Sequence, residues 1–193
     1  MDEKGGLPVL AFASAAEWDA WLVENAAAAP GLWLRLAKRD TGVVGVSYDE
    51  ALEGALRHGW IDSQRAGLDD RFWLQRFTRR RSGSRWSQRN RATALRLIEE
   101  GRMAPAGQAE VHAAQADGRW DQAYPGAAAT TVPDDLRAAL DAAPSAALAF
   151  EGLDAANRYA ILYRVHDAKR PGTRSRRIAQ FVAMLERGDR VQS

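Results

Sequence analysis

The sequence has no cysteine, and this absence excludes disulfide bonds, thiolate nucleophiles and cysteine-ligated metal sites. It also has no apolar run near the roughly 18 residues that a membrane-spanning helix needs, so we expect no membrane insertion. The chain begins Met-Asp-Glu-Lys, without the basic segment and apolar run of a secretory signal. Together these absences predict a cytoplasmic protein.

Motifs of known catalytic and nucleotide-binding sites are also missing. No Gly-rich phosphate loop, GxSxG elbow or SxxK pattern occurs, so the sequence identifies no catalytic residue. The three histidines, His58, His112 and His166, fall in separate predicted helices and lack the spacing of a metal motif. We therefore expect no metal and no cofactor, and the sequence predicts neither an enzymatic activity nor an oligomeric state.

Arginine and tryptophan are what the sequence has in quantity. Of 193 residues, 46% are hydrophobic and 27% are charged, which is ordinary for a globular protein, and seven are tryptophan. The net charge of +2 conceals four blocks: residues 1–70 carry −6, 71–102 carry +8, 103–157 carry −6 and 158–193 carry +6. The basic blocks could meet nucleic acid, or the blocks could neutralise one another inside the fold.

Hydrophobic periodicity predicts an α+β protein. Two capping boxes, Ser14 to Glu17 and Ser47 to Glu50, open amphipathic helices. Apolar and alternating runs predict three strands, at Leu32–Ala37, Trp60–Gln64 and Phe72–Thr78. The expected architecture is a small antiparallel sheet of about three strands covered by helices, followed by a small all-helical C-terminal domain.

Composition predicts a domain boundary past the middle of the chain. Residues 119–132 are rich in Gly, Ala and Pro, which is typical of a linker. We therefore expect an α+β domain over residues 1–118, this linker, and a helical domain over residues 133–193. The last helix is expected to begin near Thr173, after the break at Pro171-Gly172.

The strongest local signal is the segment from Thr78 to Ser87, TRRRSGSRWS. Arginines at a strand end, followed by hydroxyl groups at a helix start, supply forked donors and free backbone amides for phosphate or carboxylate. Trp86 could add a stacking surface for a base or for an arginine. A solvated basic face is the alternative interpretation. The predicted anion-binding residues of this part of the chain are Lys38, Arg76, Arg79, Arg80, Arg81, Ser84, Trp86, Ser87 and Asn90.

A second basic cluster near the C-terminus adds Lys169, Arg174 and Arg177 to the predicted anion-binding residues. Arg174 and Arg177 fall at the start of the last predicted helix, where the helix dipole disfavours cations. An acidic group should therefore compensate them. That group is either an acidic segment of the same chain or a ligand.

Asp62 is the candidate for chemistry. By strand alternation it shares a face with Trp60, close to the basic third strand, so its carboxylate could orient Arg76 or act as a general base. Tyr48 and Trp60 are the predicted supporting residues. One alternative is thus an enzyme that uses an Asp62/Arg76 pocket on an anionic small molecule. The other is a buried ion pair without chemistry.

Several stretches resemble the YdeI/OmpD-associated family, also described as OmdA-like or bacteriocin-protection proteins. They are GLWLRLAK, SYDEALEGALRHGWIDSQ, FTRRRSGSRWSQRN, LIEEGRMAPAG, GRWDQAY and a C-terminal segment that begins VPDDLRAAL. The resemblance extends over nearly the whole chain. It implies a bacterial, non-secreted protein with a loose link to stress or envelope tolerance. Where the family usually has FTPRR, this chain has Arg79 in place of the proline, which changes the expected turn.

Three functions remain open on the sequence. The first is a cytosolic binding module for an anionic partner, either nucleic acid or a ligand bearing phosphate or carboxylate. The second is the enzyme with the Asp62/Arg76 pocket. The third is a structural or protein-interaction role, in which the basic clusters pair with acidic segments.

Overall fold

The computed structural model describes residues 2–126 and 129–191. The chain divides into two compact units, Met1–Ala123 and Tyr124–Ser193. Over the described residues, the first unit contains a sheet and four α-helices, and the second contains four α-helices. The predicted α+β class is confirmed. Residues 127–128 of the predicted linker lie outside the described residues.

Strands and helices alternate in the first unit. The strands are β1 (Glu3–Lys4), β2 (Leu7–Leu10), β3 (Leu32–Ala37), β4 (Trp60–Gly67) and β5 (Phe72–Arg79). The helices are α1 (Ala15–Asn25), α2 (Tyr48–Arg57), α3 (Gln88–Glu99) and α4 (Pro105–Ala116).

The five strands form one sheet in the order β1-β2-β3-β5-β4. β2 and β3 are parallel, and the other neighbouring pairs are antiparallel. The prediction of about three strands was too low. β1 and β2 contain only two and four residues, which is too short for alternation to be visible in the sequence. A β-bulge interrupts β4 between Asp62 and Arg65.

The helices cover one face of the sheet. Leu32, Leu34 and Leu36 of β3 belong to this core and are almost completely buried. Burying one such leucine stabilises the fold by about 2 kcal/mol. Across from Leu34, however, β5 has the polar residue Gln75. The other core cluster of this unit contains Leu7, Trp33 and Leu74.

Side-chain caps fix where the first two helices begin. Ser47 Oγ accepts a hydrogen bond from Glu50 N at 3.3 Å, while Glu50 Oε2 accepts one from Ser47 N at 2.8 Å. This is the predicted capping box of α2. Ser14 Oγ accepts from Glu17 N at 3.2 Å at the start of α1, but Glu17 Oε2 accepts from Ala13 N at 2.8 Å and not from Ser14 N, so half of the predicted capping box is formed. Local sequence was therefore enough to place both helix starts.

The second unit packs its helices around its own apolar core. They are α5 (Asp134–Asp141), α6 (Pro144–Glu151), α7 (Ala155–Asp167) and α8 (Pro171–Glu186). Leu136 and Ile161 are fully buried at the centre of this core. α8 starts at Pro171, two residues before the predicted Thr173, because the fixed φ of proline suits a first helical position.

Within residues 2–126 and 129–191, no helix is long and apolar enough to cross a membrane.

Candidate anion-binding site

Four of the predicted arginines line one cavity of about 680 Å³ in the first unit. They are Arg76, Arg79, Arg80 and Arg81, and we call this cavity the arginine pocket. Apolar side chains of α1 and α4, among them Leu22 and Ala106, form the rest of its wall. The cavity therefore combines an apolar surface with a concentration of guanidinium groups.

The end of β5 brings these arginines together. Arg76 lies within the strand, opposite Trp33 of β3, and Arg79 is its last residue. Arg80 continues the pairing, since its backbone N donates to Gly59 O at 3.0 Å. Arg81 follows in an exposed turn. Residues at the end of one strand and just after it thus line one cavity.

Arg76 and Arg79 are held to different extents. Arg79 Nη1 donates to the carbonyl oxygen of Ala27 at 2.9 Å. Arg76 Nη1 donates to Gln64 Oε1 at 3.3 Å, which is long for such a bond. The Nε of Arg76 is buried and has no hydrogen-bond partner among the described residues. A buried donor left unsatisfied is costly, so an acceptor brought by a ligand would stabilise it.

Arg80 and Trp86 pack against each other beneath the pocket. The Arg80 guanidinium carbon lies 3.6 Å from the centroid of the Trp86 ring, and its Nη1 donates to Arg85 O at 3.2 Å. Trp86 also packs edge-on against Trp120 and is 1% exposed. Of the two stacking partners predicted for Trp86, the structure has the arginine, Arg80, whereas stacking on a base is wrong because the ring is buried.

Acidic groups are few around the arginine pocket. Among its described lining residues the single carboxylate is that of Glu110. His58 also lines the cavity, and its Nε2 lies 3.0 Å from Asp19 Oδ1. Asp19 accepts a second hydrogen bond from Arg57 Nη1 at 2.8 Å, so the Arg57 guanidinium already balances the charge of this carboxylate. The lining is therefore strongly positive, which favours an anion.

The polar residues predicted after the arginines serve the chain itself. Ser84 Oγ accepts from Arg81 N at 2.9 Å and closes the turn. Ser87 Oγ accepts from Asn90 N at 3.1 Å and caps α3. The side chain of Asn90 is buried. The structure does not bring these three residues into the arginine pocket.

Tyr48 and Lys38 line a different cavity, of about 810 Å³, which we call the tyrosine pocket. Tyr48 Oη donates to Asp62 Oδ2 at 2.7 Å. Burial of the phenol raises the pKa of Tyr48 above its ordinary value of 10.0, and the Asp62 carboxylate raises it further. The phenol therefore keeps its proton and acts as the donor of this bond.

The predicted pairing of Asp62 with Arg76 is wrong. Asp62 lies opposite Phe77, and Arg76, one position earlier on β5, projects to the other face of the strand. Asp62 bonds to Tyr48, whereas Arg76 bonds to Gln64. Trp60, its predicted supporting residue, is fully buried in the core and donates its Nε1–H to Ala26 O at 3.1 Å.

Acidic residues of the second unit compensate most of the second basic cluster. Arg174 Nε lies 2.5 Å from Asp135 Oδ2, and its Nη1 donates to Val165 O at 2.7 Å. Arg177 lies 3.7 Å from Asp167 and also donates to a carbonyl of α7. Lys169 is exposed. The sequence predicted that either an acidic segment of the chain or a ligand compensates Arg174 and Arg177. In the structure, acidic residues of the chain itself do so.

Other arginines of the basic block 71–102 also meet carboxylates of the first unit. Arg89 Nη2 lies 2.6 Å from Asp49 Oδ1. Arg96 and Arg102 both bind Glu53, at 2.5 and 2.6 Å. These pairs are largely exposed, so each contributes little to stability. They nevertheless mean that the three arginines do not form a continuous basic surface for an anionic partner.

Metal ligation was also considered. Across the described residues, the structure has no group of three or more His, Asp or Glu side chains placed to hold a metal ion.

Sequence reasoning missed several polar residues of these cavities. Gln75, Arg65 and Trp73 line the tyrosine pocket, and His58 and Glu110 line the arginine pocket. Gln75 carried a visible signal, because it interrupts the apolar side of a strand otherwise buried in the core. No pattern in the sequence indicates the other four residues, because they come together only when the helices and strands pack.

Two family models match the chain. A model described as a domain of unknown function (DUF8412) matches residues 10–110, and one described as Bacteriocin-protection, YdeI or OmpD-Associated matches residues 129–188. The second lies in the helical unit, and most of the resembling stretches quoted from the first unit fall within the first match. No curated protein and no solved structure matches the chain.

Proposed function

This chain belongs to the DUF8412 family over residues 10–110 and to the bacteriocin-protection, YdeI or OmpD-associated family over residues 129–188, and we propose that it binds a small organic anion. The proposed ligand carries a phosphate or carboxylate group and an apolar body. Its site is the arginine pocket. Neither family description names a ligand, so the proposal rests on the residues of this chain.

The observation that carries this proposal is the imbalance of charge in a bounded apolar cavity. Four guanidinium groups and one carboxylate line a volume of about 680 Å³, which is within the usual range for a small-molecule site. Arginine donors bind carboxylate and phosphate through paired hydrogen bonds. The unsatisfied Nε of Arg76 supplies a donor that such an anion can complete.

A small ligand is favoured over nucleic acid because other arginines of the basic block are paired with carboxylates and its tryptophan Trp86 is buried. Proteins that hold a single strand combine a long basic groove with accessible aromatic rings. Trp86 is buried, and Arg96 and Arg102 are engaged by Glu53. The four arginines that line the arginine pocket are thus a local concentration of charge and not part of a long basic groove.

The proposal is tested with anilinonaphthalene sulfonate, an anion with an apolar body, titrated by fluorescence. Arg81→Gln removes an exposed charge of the pocket, and Arg71→Gln is the matched control, an exposed arginine of the same segment outside the pocket. We expect Arg81→Gln to weaken binding by about tenfold, since a charged hydrogen bond contributes about 1.5–3 kcal/mol. Equal binding by both variants would remove the proposal.

A second arm separates the small ligand from nucleic acid. Counterion release makes oligonucleotide binding fall steeply with salt concentration. For this chain we expect weak oligonucleotide binding that Arg81→Gln hardly changes. A steep salt dependence that disappears in Arg81→Gln would favour nucleic acid as the partner of the pocket.

A purely structural role for the second basic cluster is the other candidate function. The bonds of Arg174 to Asp135 and to Val165 O support it, because they join three helices of one unit. In that case Arg174→Gln lowers stability without changing the binding of anilinonaphthalene sulfonate.

The cellular role and location also stay proposals. The name of the matching family describes bacteriocin protection, and we propose a cytoplasmic protein that acts in stress or envelope tolerance. Cells that lack the chain are then more sensitive to envelope stress, and the wild-type chain restores tolerance better than Arg81→Gln. Equal rescue by the two chains would separate the cellular role from the arginine pocket.

A further inference from the structure

The tyrosine pocket is a second built cavity that the proposed function does not use. Its volume is about 810 Å³. Trp73, Gln75 and Arg65 line it from β5 and β4, and they share one sheet face because Gln75 and Arg65 are cross-strand partners. Tyr48 lines it from the start of α2. The cavity thus rests on two strands and a capped helix.

Two of its polar groups offer fixed acceptors. Gln75 is 4% exposed, and its Nε2 donates to the carbonyls of Gln64 at 3.0 Å and Arg76 at 3.4 Å. Its remaining group is the Oε1 carbonyl, which can only accept. Tyr48 gives its proton to Asp62, so the phenol oxygen can also only accept. A ligand that fits these two groups must bring N–H or O–H donors.

Trp73 provides a flat apolar wall. The Arg65 guanidinium carbon lies 4.2 Å from the centroid of the Trp73 ring, and the Tyr48 ring lies 5.9 Å away. Arg65 is exposed, and a cation–aromatic contact at an exposed site is weak. A planar ring can therefore replace the guanidinium against Trp73, after which Arg65 is free to approach an anionic group.

The remaining charges of the pocket favour an anion. Lys38 and Arg39 are exposed cations of its wall, in the loop that follows β3. The carboxylate in the lining is Asp49, and Arg89 Nη2 already lies 2.6 Å from its Oδ1. With Arg65 the pocket has three cations, so an acid group of the ligand has partners.

We infer that the tyrosine pocket binds a nucleoside monophosphate whose base carries an amino group. The base lies on Trp73, and its amino group donates to Gln75 Oε1 and Tyr48 Oη. The phosphate lies against Lys38 and Arg39. This inference does not depend on the arginine pocket, and either site can be occupied without the other.

We commit to the free mononucleotide as the ligand, since the cavity has a bounded volume of about 810 Å³. A single-stranded oligonucleotide of the same base carries the same chemistry. It is the second arm of the test, and we expect it to bind no more tightly than the mononucleotide.

The experiment is calorimetric titration of the full chain with adenosine monophosphate, adenosine, ribose 5-phosphate and uridine monophosphate. We expect saturable binding of adenosine monophosphate, at least about tenfold weaker binding of both of its fragments, and weaker binding of uridine monophosphate, which has no amino group. The double substitution Lys38→Gln, Arg39→Gln should weaken the binding of adenosine monophosphate by about tenfold and leave the binding of adenosine unchanged.

Tyr48→Phe and two controls locate the site. Tyr48→Phe removes one hydrogen-bond acceptor with little change of shape and should weaken the binding of adenosine as well as that of the monophosphate. Arg35→Gln changes an exposed residue of β3 outside the pocket, and Arg81→Gln changes the arginine pocket; both should bind as the wild type does. Absence of saturable binding by any amino-bearing mononucleotide at millimolar concentration would overturn the inference. So would binding that Arg81→Gln abolishes, or oligonucleotide binding tighter than that of the mononucleotide.

Discussion

Gln75 and Arg76 are adjacent on β5 but serve different cavities, because successive residues of a strand project to opposite faces. Gln75 lines the tyrosine pocket and Arg76 lines the arginine pocket. The same alternation separates Asp62, opposite Phe77, from Arg76. At the scale of single residues, the register of β5 against β3 and β4 therefore decides which side chains can act together.

The first residue-scale prediction concerns Tyr48→Phe. This change removes the donor to Asp62, and we expect it to lower the free energy of unfolding at pH 7 by about 1 kcal/mol. The pKa of Tyr48 is raised by burial and by Asp62, so the stabilisation is complete below the ordinary value of 10.0 and is lost as the pH rises above it. Urea unfolding between pH 7 and pH 11 measures both effects.

The comparison with the wild type provides the control for this pH dependence. The wild type should lose its advantage over Tyr48→Phe above pH 10, because only the wild type can ionise the phenol on unfolding. A difference in unfolding free energy that stays constant up to pH 11 would contradict the assignment of the bond to a protonated Tyr48.

Residue roles were the least predictable part of the molecule. Trp86 follows three arginines and a serine-rich turn, which is typical of an exposed stacking residue, yet Arg80 and Trp120 enclose it. The contact with Trp120 joins residues that are far apart in sequence, so no local pattern encodes it. Leu95 and Leu97 lie two residues apart on α3, yet Leu97 is fully buried and Leu95 is 46% exposed.

At the scale of elements, local signals were more informative. The serine caps place the starts of α1 and α2, and strand periodicity finds β3, β4 and β5. β1 and β2 were not predicted, because they are short and gain their stability from pairing with neighbouring strands. Elements that are stabilised by their own sequence could be predicted, whereas elements stabilised by tertiary pairing could not.

The first element-scale prediction is that Ser47→Ala destabilises the first unit by about 1 kcal/mol, the usual cost of losing a helix cap. The hydrogen bonds from Ser47 lower the pKa of Glu50 below its ordinary 4.5, so this contribution is present above pH 4.5 and is lost as the pH falls further. The difference in unfolding free energy between the variant and the wild type should therefore shrink in acid, and the part due to the bond from Glu50 N to Ser47 Oγ should remain.

Ser82→Ala is a suitable control, since Ser82 is exposed in the turn after β5. It should leave the unfolding free energy within a few tenths of a kcal/mol of the wild type. Equal effects of Ser47→Ala and Ser82→Ala would show that the cap of α2 contributes nothing measurable.

The second element-scale prediction concerns the start of α8. Arg174→Gln removes the ion pair with Asp135 and the bond to Val165 O, and we expect a loss of about 1 kcal/mol, since solvent partly screens the pair. Arg174 holds the pKa of Asp135 below its ordinary 3.8, so the pair stabilises above that pH and fades below it.

Arg176→Gln is the matched control, because Arg176 is exposed one turn into the same helix. Thermal unfolding of both variants and of Asp135→Asn completes a double-mutant cycle with Arg174→Gln. Additive effects of the changes at positions 135 and 174 would mean that the two side chains are not coupled.

At the scale of the whole molecule, the alternating charge blocks find partners within each unit. In the first unit, Asp49 and Glu53 of the first acidic block meet arginines of the first basic block. In the second unit, Asp135 meets Arg174 of the last block. Of the two interpretations open on the sequence, mutual neutralisation therefore accounts for many of the charges, and the arginine pocket is a concentration of basic charge that remains.

The family resemblance and the fold class were predictable because they follow from short motifs and periodicity, as in the SYDEALEGALRHGWIDSQ stretch that forms α2 and enters β4. The cavities were not, because each draws on elements that are distant in the chain. The arginine pocket combines α1, the end of β5 and α4. Only the basic part of its lining was visible as a pattern in the sequence.

The most direct test of the arginine pocket is nuclear magnetic resonance of the arginine Nε–Hε groups in the full chain, with anilinonaphthalene sulfonate added. The Nε of Arg76 has no partner among the described residues, so its resonance should shift on binding, together with that of Arg81. The resonances of Arg71 and Arg174 should stay in place. Shifts confined to arginines outside the pocket, or no saturable shift at Arg76, would contradict the account.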